Sequence, residues 1–196
     1  MSLLGKLFHR TAKVELPVDT AVDVVDEPKF VYQNVLEWIA RENPYQHMTE
    51  EDKCKLPSIY TSVNYAARSG NEDDGTRIFD RLIQKNVLKE DLIVYRGVVD
   101  QVYESKMAMK KNLDCNYLFY NSYVFCSLNP GSSYWTRKTR MIISVPAGSH
   151  YLFTGEYSNT PESNEIILDR NSVFRITKED DVGERHYIWA EWIKEP

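Results

Sequence analysis

Up to about residue 90 the apolar positions of this chain recur at helical intervals. Beyond it they gather into short β-branched and aromatic runs. Val31, Val35, Trp38 and Ile39 stand at i, i+4, i+7 and i+8, one face of a helix that opens near Phe30. Asn43-Pro44 ends it, because a proline disfavours helical backbone in the residue before it. Thr49 followed by Glu50, Glu51 and Asp52 is an N-cap with acids in the first turn and predicts a short second helix. Pro57 suits the first turn of a third helix, with Ile59, Val63, Ala66 and Ala67 on its buried side and Ser69-Gly70 as its stop. Ile78, Leu82 and Ile83 predict a fourth over residues 73–85. Strands are predicted over 92–95, 117–128, 140–145, 151–154, 165–168, 172–176 and 187–193, with turns at Asn129-Pro130-Gly131, Pro146-Ala147-Gly148 and Asp169-Arg170-Asn171. One helical segment, 102–111, interrupts them. Helices first and strands later predict an α+β fold.

Composition narrows the field. The 196 residues are 42% apolar and 27% charged, which fits a globular chain of one domain. Residues 15–27 hold five acids and no base and read as a solvated linker, so 1–28 is expected to be a flexible tail and 29–196 a single domain. A net charge of −5, with neither half strongly skewed, speaks against a nucleic-acid partner. Cys54, Cys115 and Cys126 are too few for a disulfide framework, and no His or Cys cluster suggests a metal. Reduced thiols suit a cytosolic working place. The N-terminus lacks a signal-peptide core, and no apolar run is long enough for stable membrane insertion.

Three separated motifs bring in chemistry. The first is Ile59-Tyr60-Thr61, then Asn64-Tyr65-Ala66-Ala67-Arg68, then Tyr95-Arg96-Gly97 at a strand end. A guanidinium offers phosphate oxygens a fixed fork of donors and never loses its charge. The second is Tyr123-Val124-Phe125-Cys126-Ser127-Leu128-Asn129, followed by Tyr134 and Arg137, an aromatic face and a cation seven and ten residues after the serine. The third runs from Gly148 and Tyr151-Leu152 through a loop over 153–164 to Glu165-Ile166-Ile167-Leu168.

Together these resemble the mono-ADP-ribosyltransferase superfamily, in its bacterial exoenzyme-toxin branch, from about Phe30 to Ile193. The resemblance implies helices packed on a two-sheet β core, with NAD as substrate in a cleft and no metal. It implies that Arg96, Arg68, Asn64, Tyr134 and Arg137 contact NAD. Glu165 then stabilises the ribosyl cation as nicotinamide leaves, with Ser127 beneath the ribose. An oxocarbenium-like transition state needs such a carboxylate. The chain departs from the family pattern at three places. Ala67 replaces a leucine. Phe125 and Cys126 stand for the first two members of a Ser-Thr-Ser triplet, whose first serine supports the glutamate; Ser122 is a candidate substitute. Ser163 stands where arginine-modifying members carry Glu and Rho-modifying members carry Gln to position the acceptor. Tyr157 matches an aromatic that meets the protein substrate. The implied function is transfer of ADP-ribose to a protein side chain in a target cell, by a toxin or effector delivered there. Two alternatives stay open: an NAD glycohydrolase using the same site, and an inactive interaction module of the same fold.

Overall fold

The computed structural model describes residues 34–60, 62–99, 116–130 and 136–193. The expected tail, the helical segment at 102–111 and Tyr134 lie outside the described residues. Among the described residues four helices come first: α1 (Val35–Glu42), α2 (Glu50–Ile59), α3 (Val63–Arg68) and α4 (Asp74–Lys85). Side chains fix the starts of three of them. Asn34 accepts from the Glu37 amide at 3.3 Å. Thr49 and Asp52 close a reciprocal capping box on α2, and Asp73 and Thr76 do the same on α4. Pro57 is a correction: it lies inside α2, and α3 begins only at Val63. The strong Thr49 cap carries α2 past the one intrahelical bond the proline cannot donate.

Eight described strands follow: β1 (Leu92–Val98), β2 (Tyr117–Tyr120), β3 (Val124–Ser127), β4 (Thr139–Val145), β5 (Tyr151–Phe153), β6 (Glu165–Leu168), β7 (Ser172–Val182) and β8 (Arg185–Ile193). Hydrogen bonding runs in the order β2-β7-β8-β4-β1-β3-β6-β5. Every pairing is antiparallel except β4 with β8. The β1–β3 junction is a single pair, Tyr95 with Ser127. The two expected sheets are therefore a five-stranded and a three-stranded half of one ladder, joined at a narrow seam.

Period-two alternation distributes the three-stranded half between two cores. Val124, Cys126, Ile166 and Leu168 face the five-stranded half, packing with Val94, Met141, Ile143, Phe174 and Ile188. Tyr123, Leu152 and Ile167 face the helices, against Leu56, Val63, Phe79 and Leu82. The order of layers is thus helices, short half, long half. Trp38 of α1 joins the inter-half core, its ring 5.2 Å from that of Phe153. β7 and β8 outrun the sequence prediction, continuing to Val182 and from Arg185 around Gly183, whose φ is +61°.

Candidate active site

The seam positions the site. Tyr95, Ser127 and Glu165 are successive partners across β1, β3 and β6. With strands about 4.8 Å apart, the Glu165 backbone lies roughly 10 Å from that of Tyr95, and Arg96 is next along β1. Arg96 Nη1 donates to the Phe125 carbonyl at 2.6 Å, and its guanidinium carbon sits 5.3 Å from the Tyr120 ring centre. Its Nε is buried, with no partner among the described residues.

A cleft of about 320 Å³ opens beside Arg96. Asn64, Arg96, Arg137 and Asn159 provide its polar walls, and Tyr60 and Phe125 its apolar ones; among the described residues no carboxylate lines it. Tyr60 and Phe125 stack edge to face at 4.8 Å. The Asn64 Oδ1 is a second buried polar atom that no described residue partners. Arg68 does not line the cleft. It is exposed near the end of α3, and its carbonyl accepts from Asn121 Nδ2 at 3.5 Å. Its charge and that of Arg96 both act on the Tyr120 phenol, which burial nevertheless pushes up. A larger hollow of about 470 Å³ sits at the other end of β6. Its charges already have protein partners: Arg170 meets Asp80 at 2.7 Å and Gln84 meets Asp169 at 3.0 Å.

Glu165 is completely buried, and neither carboxylate oxygen has a hydrogen-bond partner among the described residues. Burial alone raises its pKa to about 8. Ser127 does not reach it. The Ser127 Oγ lies 2.6 Å from the Ser163 carbonyl and 2.7 Å from that of Asn129, while the Asn129 amide donates to it at 3.1 Å. Ser127 therefore ties the end of β3 to the loop before β6 and so orients the start of the strand that carries Glu165. Ser122 does not support the carboxylate either, since it bonds neither oxygen. Cys126 is buried, with its thiol pushed up to about 12, which removes it as a nucleophile.

The loop between β5 and β6 folds back on the helices. Ser163 is fully buried, its Oγ without a partner among the described residues. Tyr157 packs edge to face on Tyr45 at 5.3 Å and sits under the Lys53 ammonium at 5.7 Å, away from the cleft. Asn159 is the described loop residue that lines the cleft, and the sequence motifs do not point to it. A lone asparagine between Ser158 and Thr160 carries no signal that distinguishes it from a turn residue. Gly155, with φ +44°, anchors the loop: an added Cβ would collide with the Tyr45 hydroxyl and lie 2.7 Å from the Phe153 ring. Gly155→Ala is expected to cost on the order of 2 kcal/mol or more, from strain and crowding together. A lowered urea midpoint would show it, and an unchanged one would mean that Tyr45 yields freely.

Cations that no carboxylate of the described cleft lining offsets suit a diphosphate, and a dry carboxylate suits a sugar carbon turning positive. Glu165 stands two strands from Arg96 across the seam and does not itself line the cleft. The family model described as ADP-ribosyltransferase exoenzyme matches residues 58–192. The chain belongs to that family and is an NAD-dependent mono-ADP-ribosyltransferase, with NAD as its substrate. No curated protein matches it in a sequence search. Among solved structures it resembles the Plx2a toxin of Paenibacillus larvae, an ADP-ribosyltransferase, with TM-score 0.69 and 18% identity over 81% of this chain and 94% of that one. It also resembles an ADP-ribosyltransferase from Clostridium botulinum, with TM-score 0.68 and 17% identity over 85% of this chain and 100% of that one. The Clostridium limosum C3 exoenzyme gives TM-score 0.68 and 16% identity, over 86% of this chain and 98% of that one. Among the described residues, no group of His, Cys, Asp or Glu is placed to hold a metal ion, and no helix is long and apolar enough to cross a membrane.

Proposed function

We propose that this chain uses the Arg96 cleft to hold NAD and Glu165 to drive loss of nicotinamide, passing ADP-ribose to a protein of a target cell. The observation that carries the reading is local charge. An acidic protein gathers Arg96 and Arg137 around one cleft whose described lining holds no carboxylate, next to buried atoms of Asn64 and Arg96 that no described residue partners. Those orphaned groups fit the substrate. A guanidinium N–H is a phosphate donor, and a side-chain carbonyl oxygen accepts from a hydroxyl or an amide. Arg68, at the exposed edge, adds charge that attracts the same diphosphate.

Glu165 acts electrostatically. Its dry setting means that a charge opposite it is stabilised far more than in water. The cationic nicotinamide ring favours the ionised carboxylate as it arrives, and the developing ribosyl cation favours it further. Ser127 keeps β6 in register by gripping the Ser163 carbonyl. The other site assignment, Tyr134, belongs to this reading as a stacking face supplied between β3 and β4. The target is a host protein, reached by delivery of this chain into its cytosol.

Incubation with lysate and NAD labelled in its adenylate phosphate is the test, with Glu165→Gln as control. Label on a protein band from the unsubstituted chain alone is the expected result. Hydrolysis is the second reading, favoured by the burial of Ser163, which leaves that position without an exposed acceptor-holding group. Nicotinamide release with no labelled band would establish hydrolysis, and neither signal would remove the catalytic reading.

A further inference from the structure

We propose that the Phe125 ring is the partition between the Arg96 cleft and Glu165, a positioning residue that keeps the carboxylate dry until NAD enters. This rests on the proposed use of the cleft. The carboxylate is fully enclosed and does not line the cleft assigned to its substrate, so a wall stands between the two.

Strand register identifies that wall. Side chains opposite one another on paired strands share a face, and diagonal neighbours are within reach of an aromatic ring. Glu165 pairs with Ser127, and Ile167 pairs with both Phe125 and Leu152. On its own face Glu165 therefore has Ser127 beside it, Phe125 and Leu152 on the diagonals, and Ile167 along the strand. Ser127, Leu152 and Ile167 are buried. Phe125 is half-buried, and of the four it alone lines the cleft.

No charge sits in this ring of neighbours. Among the described groups, Tyr60 comes toward the face from the helices, stacked on Phe125, and Arg96 comes from β1. In the loop before β6, Tyr157 is turned to Tyr45 and Lys53, and Glu156 and Glu162 are exposed. Neither carboxylate oxygen is bonded by a described residue, and burial is what raises the Glu165 pKa to about 8.

The ring can turn while its backbone stays fixed. The Phe125 carbonyl accepts from Arg96 Nη1 at 2.6 Å, so the residue assigned to the phosphates also anchors the strand that carries the ring. The ring itself meets only other rings in that wall, Tyr60 at 4.8 Å and Phe79 at 6.2 Å. Rotation about χ1 breaks those contacts without breaking a ladder hydrogen bond. A ribose entering beside Arg96 takes the space the ring gives up and there meets the carboxylate.

The test compares the unsubstituted chain with Phe125→Ala, Phe125→Ser and Phe125→Leu, all checked for folding by melting temperature. Nicotinamide release from NAD is read against pH. Alanine and serine admit water to the carboxylate, so the midpoint of kcat/KM is expected to fall from about 8 by about one pH unit or more, with plateau kcat about tenfold lower. Leucine keeps an apolar wall, and its midpoint is expected to stay with that of the unsubstituted chain. A merely structural role would lower rates without moving the midpoint. A second readout needs no NAD. Glu165→Gln is expected to raise the melting temperature at pH 8.5, because it removes a charge held dry, and in a Phe125→Ala background that gain is expected to shrink to about half or less. An unmoved midpoint in both Phe125→Ala and Phe125→Ser, or a gain of full size in the double variant, overturns this proposal alone when nicotinamide is still released. No release by the unsubstituted chain at any pH overturns the catalytic reading and this proposal with it.

Discussion

Glu165→Gln is expected to stop ADP-ribose transfer and, at the same time, to make the protein harder to melt. The first effect follows from charge. Glutamine keeps the shape of the side chain but cannot become negative opposite the ribosyl cation, so turnover should fall on the order of 10³-fold, comparable with removal of a dedicated transition-state partner. The second follows from burial. The carboxylate is fully enclosed, no described residue bonds it, and its pKa rises from the ordinary 4.5 to about 8. A folded-state carboxylate pKa above the unfolded one means that the unfolded chain gives up its proton first. Stability from this group is therefore present below about pH 4.5, declines as pH rises toward about 8, and stays low beyond that. Glutamine removes the decline. At pH 8.5 the variant should gain on the order of 1–3 kcal/mol, or about 2–10 °C in melting temperature. At pH 4.5 the two proteins should melt together. A variant that melts lower at pH 8.5 would show that Glu165 is paired in solution. The same pKa sets the kinetics: kcat/KM for NAD should rise with pH through about 8, because that parameter reports the free enzyme, and kcat should rise at lower pH.

Arg96→Lys is expected to weaken NAD binding by about 10- to 100-fold, the worth of one charge-assisted hydrogen bond or slightly more. Lysine keeps the charge and loses the fork. Arg96 holds the Phe125 carbonyl with one nitrogen while its Nε stays unpartnered by any described residue beside the cleft. An ammonium is a point donor and cannot serve the backbone of β3 and a phosphate from opposite ends. Calorimetric titration in a Glu165→Gln background avoids substrate consumption. Affinity equal to that of the parent would take Arg96 out of the binding site. A loss restricted to kcat would give it a role in ordering β3 instead.

The sequence was informative where a local rule decides the outcome. The Thr49 cap, the helix predicted over 73–85 and the strand predicted over 165–168 rest on local rules, and each is realised in the structure. Arg96, Asn64 and Arg137 reach one cleft because their motifs fix which strand end or helix face carries them. Pro57 misled because a helix start and a tolerated interior proline look alike without knowledge of the upstream cap. The outer part of β7, from Thr177 to Val182, lies beyond the strand predicted over 172–176, and its pairing with β8 makes it a strand. The fate of the loop over 153–164 was not legible. Ser163 is hidden and Asn159 exposed because Tyr45, in the turn that follows α1, packs on Gly155 and sets the loop's path. Spacing between motifs carries no information about a clamp so distant along the chain.

β8 is the last strand described, yet it is interior to the sheet, between β7 and β4. A nascent chain emerging from the ribosome as far as β7 already carries Arg96, Ser127 and Glu165. It still has β4 as an open edge, and β7 and β2 have nothing to join. Backbone pairing this remote in sequence forms late. The producing cell therefore meets a completed catalyst only after translation has passed β8, and fragments stalled before that point carry the catalytic residues without the framework that aligns them.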